Sequence, residues 1–333
     1  MDNKILLTGV KPTGIPHLGN YVGAIKPMIA MAQKAAHSFM FIADYHALNQ
    51  IHDAKQLAEY SNVIAATFLA LGLDPDKTIF YRQSDIPEIF ELATILAAVT
   101  PKGLMNRSHA YKAEIDRNKE SGVEDVDIGI NMGLYTYPIL MSSDILLFNT
   151  DIVPVGKDQI QHVEFARDIA GHFNRYYGDV IKLPSHYVQP QAAAIPGLDG
   201  RKMSKSYGNT IQLFDEPAAL RKTIMRIVTD SKKPEESKDP DNSTICQLYA
   251  QFATPEQTAT LRQDFLNGGM GYGAAKERLF EAVDAAMAAP RKLFSSYLND
   301  THALTTILKQ GAEKARAIAS VNLARIKTAA GIR

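Results

Sequence analysis

Three apolar runs decide the fold: Ile5-Leu6-Leu7, Phe39-Met40-Phe41-Ile42-Ala43 and Thr78-Ile79-Phe80-Tyr81. Each run is short, continuous and bounded by turn or charged residues, which is typical of a buried strand. Between them, segments 19–36 and 54–72 have the apolar spacing of helices, and we expect Pro27 to kink or split the first. Alternating strands and helices predict an α/β fold with a parallel sheet and right-handed crossovers.

The remaining elements continue this alternation and then become purely helical. A fourth strand is predicted at Ile152-Val153-Pro154-Val155, between helices at 133–148 and 158–177. Segment 188–209 is rich in Gly, Pro, Gln and Ser, so it is predicted to be a long functional loop. A last strand is predicted at 210–214, and helices thereafter.

Composition excludes several classes of protein. A chain of 333 residues suggests about two domains, and its 36 basic and 36 acidic residues exclude a uniformly basic nucleic-acid coat. The single cysteine, Cys246, excludes a disulfide framework and a multi-cysteine metal site. No apolar run approaches the roughly 18 residues of a membrane span, and the N-terminus does not resemble a signal peptide. We therefore expect a cytoplasmic protein without a membrane partner.

The first strand leads into a glycine-bearing loop, 9–20, before a helix begins. Such a loop is where α/β sheets bind phosphates, because the N–H groups of the helix N-terminus face the ligand. The loop lacks the Lys-Ser/Thr of a Walker motif and contains no G-x-G-x-x-G, which argues against a hydride-transfer enzyme. Taken alone, it is equally compatible with an ordinary Gly/Pro turn.

A second motif, Lys202-Met203-Ser204-Lys205-Ser206, lies in the long loop. Two lysines flanking small hydroxyl residues could follow negative charge as it moves onto a departing pyrophosphate. For an arbitrary Lys-x-x-Lys pair, a solvated basic turn is the better interpretation.

Together the two loops resemble the signature motifs of class I aminoacyl-tRNA synthetases. His17-Leu18-Gly19-Asn20 is similar to their HIGH motif with the final histidine replaced by Asn, and residues 202–206 match KMSKS. The resemblance implies a Rossmann-type catalytic domain at 1–216, on which returning C-terminal helices could pack, and a helical anticodon-binding region at 217–333. It also implies ATP and Mg²⁺ as cofactors and tRNA as a partner.

The stretch 137–147 bears on the amino acid. Helical spacing places Tyr137, Met141 and Asp144 on one face, so a flat apolar ligand with one edge donor would fit. From the residues alone, Asp144 could equally cap a helix or pair with an arginine. The stretch resembles the tryptophanyl pattern YPxLMxxDIL, in which the aspartate accepts the indole N–H. Blocks 14–24, 151–159 and 311–316 also resemble the tryptophanyl-tRNA synthetase family.

This resemblance implies roles for individual residues. Those expected to act in catalysis are His17, Asn20, Lys202 and Lys205. Those expected to bind ATP are Lys11, Thr13, Gly19, Asn20, Gly156, Asp158, Lys202, Met203, Ser204 and Lys205. Those expected to bind L-tryptophan are Leu7, Gly9, His46, Tyr137, Met141, Asp144 and Gln159. Asp158 and His162 have i, i+4 spacing, but without a third ligand we expect no metal site in the protein itself.

The predicted activity is that of a tryptophan–tRNA ligase acting as a homodimer. Residues 291–333 carry eight Lys/Arg against Asp300 and Glu313, a charge excess that also suits a solvated helix surface. The family resemblance implies that it is a basic patch for tRNA(Trp). Two alternatives remain open at this point. A tyrosine-specific enzyme of the same subclass should prefer a polar residue at Met141. A non-catalytic tRNA-binding paralogue should have lost Lys202 or Lys205, the pair of lysines that we call the clamp.

Overall fold

The computed structural model describes residues 4–188 and 195–333. Its strands are β1 (Ile5–Val10), β2 (His37–Ile42), β3 (Thr78–Arg82), β4 (Ile152–Val155) and β5 (Ser185–Val188). Its helices are α1 (Leu18–Asn20), α2 (Lys26–Ala32), α3 (Asp44–Ala47), α4 (Ala54–Ala70), α5 (Glu88–Val99), α6 (Lys102–Met105), α7 (His109–Glu120), α8 (Met132–Leu146), α9 (Ile160–Tyr177), α10 (Pro217–Met225), α11 (Thr244–Tyr249), α12 (Pro255–Asn267), α13 (Tyr272–Asn299) and α14 (Thr301–Ala329).

The strands form one parallel sheet in the order β3-β2-β1-β4-β5. The predicted α/β class and four of the five predicted strands are confirmed, whereas β5 was not predicted. Both faces of the sheet are covered, as β2 illustrates. Phe39 and Phe41 pack in one core with α5, α8 and α9, while Met40 and Ile42 pack in another with α2 and α4. Burial on both faces explains why these strands are continuously apolar in sequence.

The first predicted helix, 19–36, is divided and shorter than expected. A π-helical turn at Tyr21–Ile25 separates α1 from α2, and Pro27 lies in the first turn of α2. A proline is tolerated there because the N–H groups of the first turn have no intrahelical partner. The split expected from Pro27 is therefore confirmed, whereas α2 ends at Ala32 rather than at 36, and β2 begins at His37.

The predicted strand at 210–214 is wrong. Within the described residues, this segment makes one isolated antiparallel bridge, between Gln212 and His17. The carbonyl of Ile211 accepts a hydrogen bond of 2.9 Å from the N–H of Leu18, so the segment follows the first loop rather than an edge of the sheet. Its β-like composition reflects burial, since Ile211 and Leu213 are almost inaccessible to water.

The last helix, α14, packs against both cores beside the edge strand β3. Leu304 and Leu308 join one core, whereas Ala315 and Ala319 join the other. Between them lies Gly311, where a Cβ atom would be 1.8 Å from the carbonyl oxygen of Phe80. The helix thus covers a strand edge that could otherwise pair with another chain.

Helices α10 to α13 build a third core that also includes Leu18 and Val22 from the first helical segment. The proposed division of the chain at 216/217 stays a prediction. Among the described helices, none combines the length and apolarity needed to cross a bilayer.

Candidate active site

The predicted site residues gather at the carboxyl edge of the parallel sheet. Loop 11–17 follows β1, His46 follows β2, and Gly156 follows β4. Because parallel strands present their carboxyl ends at the same edge, residues distant in sequence meet there. This edge is therefore the candidate active site.

His17 is held by the first residues of the helix that it caps. Its Nδ1 accepts a hydrogen bond of 3.3 Å from the N–H of Asn20, and the amide oxygen of Asn20 accepts one of 3.0 Å from the N–H of His17. Burial, and secondarily the charge of Lys205, lowers the pKa of His17 to about 4. At neutral pH the imidazole is therefore uncharged, with its proton on Nε2, so it can donate that N–H to a phosphate oxygen.

The two motifs identified in the sequence are in direct contact. The N–H of Gly19 donates to the sulfur of Met203 at 3.3 Å, and a Cβ atom on Gly19 would lie 3.2 Å from the Cβ of Met203. Met203 is buried, so its side chain joins the loops rather than facing the open site. Gly14 adopts a φ of +132°, and a Cβ atom there would be 2.6 Å from Nζ of Lys205. The clamp thus reaches across the first loop.

The other residues expected around the nucleotide lie on the same two loops. Lys11, Thr13 and Lys202 are exposed, and the N–H of Thr13 donates to the carbonyl of Lys11 at 2.9 Å. Partial burial lowers the pKa of Lys205. The two contacting loops therefore both carry cations, which favours binding of a polyanion.

Asp144 lies at the floor of the site, 1% exposed. Nε2 of His46 donates to its Oδ2 at 3.0 Å, and Nε2 of Gln83 lies 2.9 Å from both oxygens. Burial raises the pKa of Asp144, while the hydrogen bonds from His46 and Gln83 act in the opposite direction. Neither a helix cap nor an arginine, the partners left open by the sequence, is its partner here.

Sequence reasoning missed Gln83 and Tyr81 beside this acid. Gln83 follows β3 and is fully buried, and its Oε1 has no hydrogen-bond partner, as is also true of the hydroxyl of Tyr81. The pKa of Tyr81 is raised by burial and by the charge of Asp144, which places the two groups close together. A signal existed: both residues stand at the carboxyl end of a predicted strand, as a glutamine and a tyrosine in an otherwise apolar setting.

Tyr137 and Met141 lie on α8 with Asp144, as the spacing predicted. The ring of Tyr137 packs edge-on against His162, with centroids 5.8 Å apart, and its hydroxyl bonds to Ser108. Met141 is half-buried beside the core. On the turn after β4, Oε1 of Gln159 accepts a bond of 3.4 Å from the N–H of Gly156. The side chain of Asp158 lies outside the described part of the structure.

Leu7 and Gly9, both expected to bind L-tryptophan, lie within the sheet and pack against its own side chains. Leu7 is buried in the core of the sheet. At Gly9, a Cβ atom would lie 2.4 Å from the ring of Phe41, which in turn stacks on Tyr81 at 5.9 Å. Gly9 therefore makes room for an aromatic side chain from β2, a residue that sequence reasoning had assigned to the core alone.

The predicted basic patch at 291–333 is smaller than its charge count suggested. Arg291 is buried and bonds to Asp284 at 2.8 Å, Arg316 bonds to Glu88, and Lys327 bonds to Glu91. These three cations are paired within the chain, and only Arg291 among them is buried. Lys292, Lys309, Lys314, Arg325 and Arg333 stay exposed. Elsewhere in residues 4–188 and 195–333, no group of three or more His, Cys, Asp or Glu could hold a metal ion.

The family comparison agrees with this geometry. Residues 2–288 match the model of the class I tRNA synthetases described as "W and Y". The chain belongs to this family. Residues 17–20 and 202–206, which resemble the class I motifs, both lie within the matched range.

Relatives within the W and Y family cover the whole chain. A Neisseria meningitidis protein named tryptophan–tRNA ligase is 49% identical over 100% of this chain and 99% of its own length. A Pseudomonas putida protein of the same name is 52% identical over 98% of this chain and 74% of its own length. The solved Campylobacter jejuni tryptophanyl-tRNA synthetase, complexed with ADP and tryptophan, is 43% identical, with a TM-score of 0.91 over 98% of this chain and 100% of that one.

Proposed function

We propose that this chain is a tryptophan–tRNA ligase. It activates L-tryptophan with ATP to tryptophanyl-adenylate and pyrophosphate, and then transfers tryptophan to the 2′-OH of the terminal adenosine of tRNA(Trp). The observations that carry the proposal are a buried carboxylate, Asp144, bonded to His46 beyond the carboxyl end of β2, and two class I motifs in direct contact beyond β1.

The specificity follows from what Asp144 needs. An ionised carboxylate is a hydrogen-bond acceptor only, with about four acceptor positions, and His46 and Gln83 occupy part of that capacity. An indole N–H supplies one further donor, and Met141 offers a polarizable apolar surface to the ring. A site built to pair a donor rejects a ligand that lacks it, by roughly 10⁴–10⁵ in the best cases. A tyrosine-specific site would favour a polar group at Met141.

The reaction needs no nucleophilic side chain. The carboxylate of tryptophan attacks the α-phosphorus of ATP, a bond to the α-phosphorus forms, and the bond to pyrophosphate breaks. His17 donates its Nε2 proton as a hydrogen bond to a phosphate oxygen, and Lys202 and Lys205 stabilise charge on the departing pyrophosphate. Both lysines are retained, which argues against a non-catalytic paralogue.

Mg²⁺ enters this scheme as part of the nucleotide substrate. The motifs at the site supply lysines rather than a carboxylate cage, and Mg²⁺ is commonly held by phosphate oxygens and water with few protein ligands. Lys202 and Lys205 would then contact phosphate oxygens that the ion leaves free.

The remaining partners complete the proposal. The exposed cations of α14 and of the C-terminal residues would contact phosphates of tRNA(Trp), and residues 217–333 would read the anticodon. We propose a homodimer that acts in the cytoplasm, where tRNA charging supplies the ribosome and where a lone buried thiol, Cys246, stays reduced.

Pyrophosphate exchange tests the proposal, because each amino acid can be offered separately. Exchange should depend on tryptophan and not on tyrosine. The chain contains no tryptophan, so a change in the fluorescence of added tryptophan, excited at the red edge of indole absorption, reports binding without a protein indole signal. Exchange driven by tyrosine alone would refute the assignment.

Asp144→Asn tests the residue that sets specificity. It places an amide N–H against donors from His46 or Gln83, and it should weaken tryptophan binding by about 10- to 100-fold with little change in the KM for ATP. Asp151→Asn is the matched control: this carboxylate pairs with Lys4 and Lys182 at the opposite edge of the sheet. Equal effects of the two variants on tryptophan affinity would contradict the role of Asp144.

A further inference from the structure

The loop that carries the two clamp lysines closes around a buried amide, Asn209, that no motif includes. Asn209 is 3% exposed and lies just beyond the 3₁₀ turn Lys205–Tyr207. Its Oδ1 accepts a hydrogen bond of 2.8 Å from the N–H of Ser204, and its Nδ2 donates to the carbonyl of Lys202 at 3.2 Å. One side chain therefore holds the backbone on both sides of Met203.

The amide is in turn fixed by an ion pair. Nδ2 of Asn209 donates to Oδ1 of Asp199 at 2.7 Å, and Nε of Arg201 donates to the other oxygen, Oδ2, at 2.7 Å. Arg201 also lies over the ring of Tyr207, 4.5 Å from its centroid. Because Ser204 presents a donor while Asp199 and Lys202 present acceptors, only one orientation of the amide satisfies all three partners.

The backbone around the amide leaves little freedom. The N–H of Leu198 donates to the carbonyl of Asn209 at 2.9 Å, and a Cβ atom on Gly197 would lie 2.4 Å from Cγ of Asn209. The chain also folds back on itself across the turn, where the N–H of Met203 donates to the carbonyl of Ile195 at 2.8 Å. The backbone of the loop that carries Lys202 and Lys205 is thus fixed by hydrogen bonds of its own.

We propose that Asn209 is a positioning residue for the phosphate clamp: its amide, locked by Asp199, sets the backbone from which Lys202 and Lys205 reach the pyrophosphate. The inference rests on the proposed function, since it needs a nucleotide between the lysines. Asn209 touches neither lysine ammonium, so it acts through the loop. Misplacement of a catalytic group by about 1 Å costs on the order of 100-fold in rate.

Asn209→Ala should therefore lower the rate of pyrophosphate exchange by on the order of 10- to 100-fold and raise the KM for ATP. Tryptophan affinity, measured without ATP by ligand fluorescence, should stay within about twofold, because Asp144 and α8 do not contact this loop. Asn174→Ala is the matched control, since its amide likewise donates to Ile181 and accepts from Val180 and Ile181 in a loop beyond α9. It should leave the KM for ATP unchanged.

Variants that change the charge at positions 199 and 209 distinguish a positioning role from a general loss of stability. Asn209→Asp preserves shape but sets a carboxylate against Asp199, so it should impair exchange more than Asn209→Ala. The double variant D199N/N209D restores one donor between the two positions but leaves a carboxylate oxygen against the carbonyl of Lys202, so it should recover part of the loss in N209D. The single variant D199N reports the cost of losing the partner of Arg201.

The outcomes are distinguishable. Wild-type exchange that does not depend on tryptophan would refute the proposed function itself, whatever the variants do. With tryptophan-dependent exchange in place, N209A and N209D within about twofold of wild type in rate and in the KM for ATP would overturn the role of Asn209. The role of Asn209 would also be overturned if N209A lost tryptophan affinity by the same factor as the exchange rate. A D199N/N209D exchange rate no higher than that of N209D would overturn it as well.

Discussion

Replacing Gly14 with alanine should slow adenylate formation while leaving tryptophan binding intact. Gly14 adopts a φ of +132°, in a region that residues with a side chain rarely occupy. A Cβ atom there would lie 2.6 Å from Nζ of Lys205, and the next nearest atoms are 3.9 Å away. The methyl group would thus meet the end of one flexible side chain, the one that we propose contacts the pyrophosphate, and little else.

The expected magnitude has two parts. The backbone strain costs about 1–3 kcal/mol of stability. The ammonium of Lys205 must also retreat by about 1 Å. A unit charge moved from about 3 to about 4 Å from a phosphate oxygen loses roughly 1.4 kcal/mol at an effective dielectric constant of 20, which is about tenfold in rate. We therefore expect at least a tenfold slower single-turnover rate.

Gly72→Ala separates the two parts. Gly72 has a φ of +97°, and no atom lies within 4 Å of an added Cβ, so this variant carries backbone strain alone. Single-turnover consumption of ATP should be slow in G14A and normal in G72A, with tryptophan fluorescence titrations alike in both. In a Lys205→Ala background, G14A should have little further effect. Equal rates for G14A and G72A would refute the reasoning.

Two further predictions concern His17 and Gly311. Burial holds the folded imidazole of His17 neutral down to its pKa of about 4, whereas an unfolded histidine protonates below about 6.5, so stability should fall as pH drops between these values. Carbon-detected NMR of the ring, assigned with His17→Asn, should show a midpoint near 4, and a midpoint above 6 would contradict the buried neutral form. Gly311→Ala should destabilise by about 1–3 kcal/mol or more, since its Cβ would overlap the backbone of Phe80. Gly171→Ala, with open space in the middle of α9, should instead stabilise by about 0.5–1 kcal/mol in urea unfolding, and similar midpoints for the two variants would contradict the close contact.

Apolar runs in the sequence predicted the strands that are buried on both faces of the sheet. The strands β1 to β4 could be read from continuous apolar runs because burial on both faces leaves no alternation to obscure them. β5 escaped because Ser185-His186-Tyr187-Val188 is a largely exposed edge strand whose pattern carries no core signal. The segment 210–214 misled in the opposite way, since it is buried by packing on the first loop without pairing in the sheet.

The candidate site shows the same limit. Motifs placed the lysines and His17, because their chemistry is carried by residues close in sequence. Gln83 and Asn209 act through partners 61 and 5 residues away, and a lone amide in sequence carries no sign of what it will hold. Charge counting failed at Arg291 for a related reason: the count does not distinguish a solvated cation from one paired with Asp284.

The hydrogen-bond donors around Asp144 favour the ionised form of this buried acid, which is the form that best accepts a hydrogen bond from a neutral ligand. A lone buried carboxylate would take up a proton, so that one oxygen would become a donor and the neutral acid would be a weaker acceptor for an N–H. Burial raises the pKa of Asp144, and the donors of His46 and Gln83 oppose that shift by stabilising the ionised form. Their geometry also leaves Oε1 of Gln83 and the hydroxyl of Tyr81 without partners, which is costly in a buried site. Binding of a ligand that orders these groups would recover part of that cost, so specificity at Asp144 belongs to the whole polar cluster rather than to one carboxylate.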